Sequence, residues 1–325
     1  MPQFKKIFVA APGNTVTGGP ELLHQLVHEL RGLGQQAFIC YTPFEKSFEC
    51  PAPYRIYDAP QAAFEDAPGN LLVVPEVSPG LACSVKQARA AMWWLAVDGF
   101  LVHSGESALK DRWRNLRYKL TGRRPWTMRP LRPLLHFAQS QYAVEFLRGH
   151  GIEAAPLSDY LNIAHDVAGE AQGEAPPREA QVAYNPKKGK AVTAALMAAW
   201  PGIRFVPIAN LTPAGVVDLL RRSALYIDFG HHPGKDRLPR EAAMAGCCVI
   251  TGRRGSAANP VDIPIPQKYK LDERAPGFVQ AFGEVARAVL AAPQAHAPDF
   301  DAYRATIRRE REVFAQQVRD VFTRD

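Results

Sequence analysis

The sequence contains no apolar run approaching the ~18 residues that would read as a membrane-spanning helix. Its five cysteines, Cys40, Cys50, Cys83, Cys247 and Cys248, form no C-x-x-C pair and no framework of spacings. An odd count without a framework predicts reduced thiols in a cytosolic protein and argues against a structural metal centre, so no metal or other cofactor is expected. The glycine pair at Gly18 and Gly19 lacks the G-x-G-x-x-G spacing of a dinucleotide fingerprint, which counts against a nicotinamide-dependent dehydrogenase. The first residues, MPQFKKIFVAAPGN, hold an apolar run too short for a secretory leader and read as a first strand.

Net charge is scarce outside one place. Residues 110 to 132, KDRWRNLRYKLTGRRPWTMRPLR, carry nine Lys or Arg against one Asp. That segment holds +8 of a chain total of +7, so the remainder is nearly neutral. Trp113, Tyr118 and Trp126 interleave the basic residues, a pattern suited to nucleic acid, an anionic membrane surface or a lipid-diphosphate acceptor. No nucleic-acid-binding signature accompanies the patch, and no nucleic-acid partner is expected.

What the chain does contain is repeated alternation of short apolar runs with helical spacing. Ile7 to Ala11 reads as a strand, PGNTVTGG as a loop, and Leu22, Leu23, Leu26, Val27, Leu30 and Leu33 as one helix face. Further strands are expected at 70–76, 91–97 and 134–140, which gives an α/β domain with parallel strands. GEAQGEAPPRE (169–179) lacks large apolar residues and reads as an exposed loop near a junction. The pattern then restarts at QVAYNPKKG, IRFVPIANL, ALYIDFG and CCVITG. The expected organisation is a domain over 1–157, a second over 158–300, and an amphipathic helix over 301–325 with Tyr303, Ile307, Phe314, Val318, Val321 and Phe322 on one face.

Several motifs, in order, resemble the GT-B glycosyltransferases, nearest to the family 4-like enzymes of bacterial surface-polysaccharide assembly. REAAMAGCCVITG matches that family's late Glu-Ala-Met-Ala-x-Gly-x-Pro-Val-Ile motif at Glu241, Gly246, Val249 and Ile250, with Cys248 where proline is usual. YNPKKG resembles its diphosphate clamp, with Asn185 in the place of the arginine, and TGGPELLHQLVHEL resembles the glycine loop and helix of its first domain. The retaining members carry a second glutamate eight residues before the one matched by Glu241, and Pro233 stands there. The resemblance implies two Rossmann-like domains facing across a cleft, a C-terminal helix returning to the first domain, a nucleotide-sugar donor on the second domain, and a glycan or lipid-linked acceptor on the first.

The chemistry of the residues runs alongside. A nucleotide-sugar leaving group gains negative charge as its glycosidic bond breaks, and fixed cations with helix N-termini stabilise it. Asn185, Lys187, Lys188 and Gly189 lie in one strand-to-helix loop, and Gly234, Lys235 and Arg237 lead into the helix that carries Glu241, where such groups belong; Gly18 and Gly19 would admit the donor in the first domain. For the base, Asp98 stands first and His103 second, with Glu76 third, a carboxylate at an apolar strand end. The bland readings are solvated lysines, a helix first turn and capped strand ends. A GT-B-fold protein that binds glycan or nucleotide without catalysis is the alternative to the enzyme.

If 110–132 docks the protein on anionic lipid, each basic residue near that surface contributes on the order of 1 kcal/mol. Glutamine at Arg112, Arg114, Arg117, Arg123 and Arg124 then abolishes cosedimentation with anionic liposomes. Persistent sedimentation of the variant, or none by the wild type at physiological salt, removes the membrane from the reading.

Overall fold

The computed structural model describes residues 4–101, 127–162 and 177–323. His103 and most of the basic segment, 110 to 126, lie outside the described residues; Arg129 and Arg132 are exposed. The chain divides into two compact units, one of residues 1–159 with 312–325 and the other of residues 160–311.

The first unit is built on a parallel sheet in the order β2-β1-β3-β4-β5-β6. Its strands are β1 (Ile7–Pro12), β2 (Ala37–Thr42), β3 (Leu71–Pro75), β4 (Arg89–Trp94), β5 (Leu135–Ala138) and the short β6 (Ala155–Pro156). They are near-continuous apolar runs because helices cover both faces of such a sheet. The helices include α1 (Gly18–Gly32), α2 (Pro79–Ser84), α3 (Val97–Leu101) and α4 (Gln141–Gly149). The strand expected over 91–97 ends at Trp94, because Leu95 turns its amide to Glu76 and Val97 opens α3.

The second unit has a parallel sheet in the order β10-β9-β7-β8, with β7 (Glu179–Tyr184), β8 (Arg204–Pro207), β9 (Ser223–Asp228) and β10 (Cys248–Thr251). Between and after them run α5 (Lys190–Ala199), α6 (Pro213–Arg222), α7 (Arg237–Met244) and α8 (Phe278–Ala291). The end of the segment expected as an exposed loop is structural: Arg178 donates to the carbonyls of Ser223 at 2.8 Å and Ala245 at 2.7 Å, and Glu179 begins β7. Gly246, with φ of 85°, passes close against that guanidinium, so a side chain there would be strained and obstructed.

The amphipathic helix expected over 301–325 is two helices, α9 (Asp301–Arg308) and α10 (Glu310–Phe322), parted at Arg309. One apolar stripe serves two cores. Tyr303 and Ile307 are buried in the core of the second unit, while Phe314, Val318 and Phe322 are buried in the first. Phe314 stacks on Trp93 at 6.3 Å between ring centroids, and Phe322 meets Phe137 at 5.3 Å. The return of the last helix to the first unit matches the architecture expected from the resemblance.

Removing the fully buried Phe314 ring empties space that the Trp93 side of the sheet cannot refill. Phe314→Ala is expected to cost about 3–5 kcal/mol in the first unit, read by urea denaturation followed through tryptophan fluorescence.

Candidate functional site

In a parallel sheet, the loops at the carboxyl ends of the strands are where ligands bind. In the second unit those loops follow β7, β9 and β10. The loop after β7 is Asn185-Pro186-Lys187-Lys188-Gly189, leading into α5. Asn185 closes it, its Oδ1 accepting the Lys187 amide at 3.0 Å. Lys187 points into solvent, whereas Lys188 folds inward with its side chain only 18% exposed. Gly189 has φ of 56° and presses on the Phe229 carbonyl so closely that a Cβ would collide with it. Only glycine lets the two loops interlock in this way.

The loop after β9 carries the densest charge. Asp228 ends the strand, buried, and its Oδ2 accepts the Tyr226 hydroxyl at 2.9 Å. Burial, reinforced by the Asp228 charge, holds the Tyr226 phenol well above its usual range. Lys188 Nζ contacts Asp236 Oδ2 and lies 3.4 Å from Asp228 Oδ1. His232, fully buried, lies between the same two carboxylates, with Nδ1 2.7 Å from Asp236 and Nε2 3.5 Å from Asp228. Burial opposes the charge on Asp236, but the His232 hydrogen bond and the Lys188 ammonium outweigh it and keep the carboxyl below its usual range.

Asp236 occupies the N-cap position of α7, where an aspartate side chain ordinarily accepts a helix amide. It does not do so here; its carboxylate is turned to Lys188 and His232 instead. Gly189, at the N-cap of α5, has no side chain to offer. Two helix N-termini without side-chain caps therefore stand at the carboxyl edge of β7 and β9, and helix N-termini attract anions.

Beneath the loop runs a second ionic network. Arg240, 1% exposed, donates to the carbonyls of Lys235 at 3.1 Å and Asp236 at 3.2 Å, and to Glu310 at 2.8 Å. Lys235 binds the same Glu310 carboxylate at 3.0 Å. The structure thus places Lys235 in a tether to Glu310, whereas the sequence placed it on the donor with Lys187 and Lys188. Ser256 donates to the Gly234 carbonyl, and His232 donates its amide to Arg254, which fixes the other side of the loop. Arg237 lies 3.2 Å from Glu241, which is buried one turn further along α7.

The sequence candidates of the first unit are distributed differently. Gly18 and Gly19 are the first residues of α1, and a Cβ on Gly19 would meet only Leu95 at an ordinary 3.8 Å. Asp98 is half-buried in α3. Glu76 is 3% exposed, accepts the Leu95 amide at 2.9 Å, and packs against Gly99, next to Asp98. Burial pushes the Glu76 carboxyl up to about 7, against the pull of the backbone amides.

Sequence reasoning missed Asp228, Asp236 and Glu310 as partners, and left His232 either as a sugar contact or as loop filling. The signal for three of them is an Asp-x3-His-x3-Asp spacing that opens at the end of an apolar strand. Among the described residues, Asp228, His232 and Asp236 are the group able to offer ligand atoms to a metal ion. Lys188 stands among them as a cation already.

No protein-family model and no curated protein matches the sequence. Solved structures do match the fold. Sucrose-phosphate synthase from Thermosynechococcus elongatus is similar at a TM-score of 0.67 and 11% identity, over 98% of this chain and 98% of that one. A UDP-forming α,α-trehalose-phosphate synthase from Burkholderia xenovorans is similar at 0.54 and 11%, over 98% and 99%. The catalytic domain of starch synthase IV from Arabidopsis thaliana, bound to ADP and acarbose, is similar at 0.52 and 10%, over 97% and 99%. The chain has the GT-B fold that these glycosyltransferases share.

Glu76 generates a pH signature. Its folded pKa lies above the unfolded value, so its contribution is complete below about pH 4.5 and is lost as pH rises through about 7. Glu76→Gln keeps an acceptor for the Leu95 amide and removes the ionisation. Relative to the variant, the wild type is expected to lose roughly 3 kcal/mol between those pH values, measured by denaturation at pH 4.5 and pH 8. A constant difference across that range sinks the assignment.

Proposed function

We propose that the protein is a hexosyl-type glycosyltransferase that moves a sugar from a nucleotide-sugar donor to a glycan or lipid-linked acceptor in bacterial surface-polysaccharide assembly. The observation that carries this reading is Lys188. It is an inward-turned cation at the carboxyl ends of β7 and β9, beside two helix N-termini without side-chain caps, in a fold shared with sugar-transferring enzymes. The nucleotides named for two of the neighbours, UDP and ADP, are diphosphates of the kind this arrangement suits.

In the proposed reaction the acceptor hydroxyl attacks the anomeric carbon and the bond from that carbon to the diphosphate oxygen breaks. The hydroxyl proton passes to a base, and the nucleoside diphosphate leaves with the electron pair. Lys188 and the amides opening α5 and α7 stabilise the departing charge, so the transfer itself needs no metal. Glu241 accepts hydroxyls of the donor's ribose. Asp98 takes the acceptor proton, and Glu76, sealed beneath Gly99, positions the turn that carries Asp98. The basic segment 110–132 brings the lipid-linked acceptor or the membrane surface, and the protein works in the cytoplasm. Pro233, in place of the family's second glutamate, keeps the non-catalytic reading as the competing one.

A thermal-shift screen with UDP, GDP, ADP, CMP and their sugars is expected to find one stabilising nucleotide, since a ligand at 100 times its Kd adds about 2.7 kcal/mol. Lys188→Ala should weaken that nucleotide by about 1–3 kcal/mol. Asp98→Asn should lower turnover with donor affinity retained. Binding without donor hydrolysis or transfer selects the non-catalytic reading. No response to any nucleotide, with salt-sensitive binding to DNA, selects a nucleic-acid function of the basic segment.

A further inference from the structure

We infer that Asp228, His232 and Asp236 form a divalent-cation site that fills when Lys188 is drawn onto a bound diphosphate; the second clause rests on the donor reading above. One ligand atom from each residue lies within 4.8 Å of the others, so small side-chain rotations bring all three to a common ion. Asp228 is 3% exposed and His232 is 0% exposed, which leaves water little access to screen their charge.

The existing neutralisation is incomplete. One ammonium serves two carboxylates, touching Asp236 and standing 3.4 Å from Asp228 Oδ1. That Asp228 oxygen is buried and accepts no hydrogen bond among the described residues. Its other polar neighbour, the His232 Nε2 edge, is 3.5 Å away. A buried carboxylate oxygen without a donor is costly, and it points into the same space as the Asp236 and His232 ligand atoms.

Lys188 cannot neutralise both these carboxylates and a diphosphate. If the ammonium turns to the ligand, two carboxylates remain in a buried site with no fixed cation among them, and a divalent ion supplies the missing charge. Two carboxylate oxygens and an imidazole nitrogen make a mixed oxygen and nitrogen donor set, which suits Mn2+ or Zn2+ better than Mg2+. Tyr226 already orients the Asp228 carboxylate from behind, as the outer partner of a ligating carboxylate does. The ion acts on affinity rather than on the chemical step. It competes with Lys188 for the carboxylates and is relieved of that competition by the nucleotide. Linkage then requires ion and nucleotide to tighten each other by the same factor.

The test is a titration of the full chain with Mn2+, read as free ion by electron paramagnetic resonance, with and without UDP or whichever nucleotide binds. Lys188→Met removes the competing ammonium and is expected to tighten Mn2+ about tenfold or more with no nucleotide present, within the range usual for coupled sites. Lys188→Gln, which keeps a polar chain, serves if the methionine variant does not fold. Adding Asp236→Asn to either variant should abolish the gain. In the wild type, nucleotide should tighten Mn2+ and Mn2+ should tighten nucleotide equally. If neither Lys188 variant binds Mn2+ more tightly than the wild type, or if the gain survives Asp236→Asn, the cation site is overturned. If the gain appears and is lost with Asp236→Asn, while no nucleotide affects Mn2+ in the wild type, the cation site stands and the donor reading of Lys188 fails.

Discussion

The arrangement of the second unit depends on one buried carboxylate at the end of an apolar strand. Asp228 follows Leu225, Tyr226 and Ile227 into the interior, where water cannot solvate it. The surrounding chain is organised to answer that charge. Tyr226 donates to it from its own strand, Lys188 turns inward from the neighbouring loop, and His232 packs against it from the loop that follows. Lys188 reaches it because Gly189 lets the β7 loop interlock with Phe229 and Gly230. Asp236 gives up helix capping to complete the same group.

A second charge network has a different task. Arg240 is too deeply buried to meet a ligand, and its guanidinium instead fixes the carbonyls of Lys235 and Asp236 while Glu310 neutralises it. Glu310 opens α10, immediately after the break at Arg309, so the junction of the last two helices supplies the counter-charge for the loop. The loop backbone is thereby held in place. One network holds the loop backbone, and the other gathers Lys188 and His232 around Asp228 and Asp236.

In the first unit the corresponding constraint is Glu76. It leaves the end of β3 and is used up on the backbone that links β4 to α3. That contact shortens β4 relative to the apolar run in the sequence and sets Asp98 on a helix instead of a strand end. Glu76 thus has a raised pKa beneath the backbone, while Asp98 is half-buried on the helix beside it.

The alternation of apolar runs with helical spacing determined the two parallel sheets, because a strand covered on both faces must be apolar along its whole length. Loops after those strands were legible for the same reason: Lys188, Gly189 and Gly234 fall where β-to-α connections must be. The tertiary structure alone decided which charges meet. Lys187 and Lys188 are adjacent and alike in sequence, yet one is solvated and the other partly buried against two aspartates, since successive side chains of a turn leave it in different directions. Lys235 looks like a ligand cation until Glu310, 75 residues further along the chain, arrives to bind it. A single apolar stripe over 303–322 reads as one helix, and only packing shows it shared between two cores. Periodicity is local and survives in the sequence; charge pairing is a matter of distance across the fold, and sequence carries no measure of that.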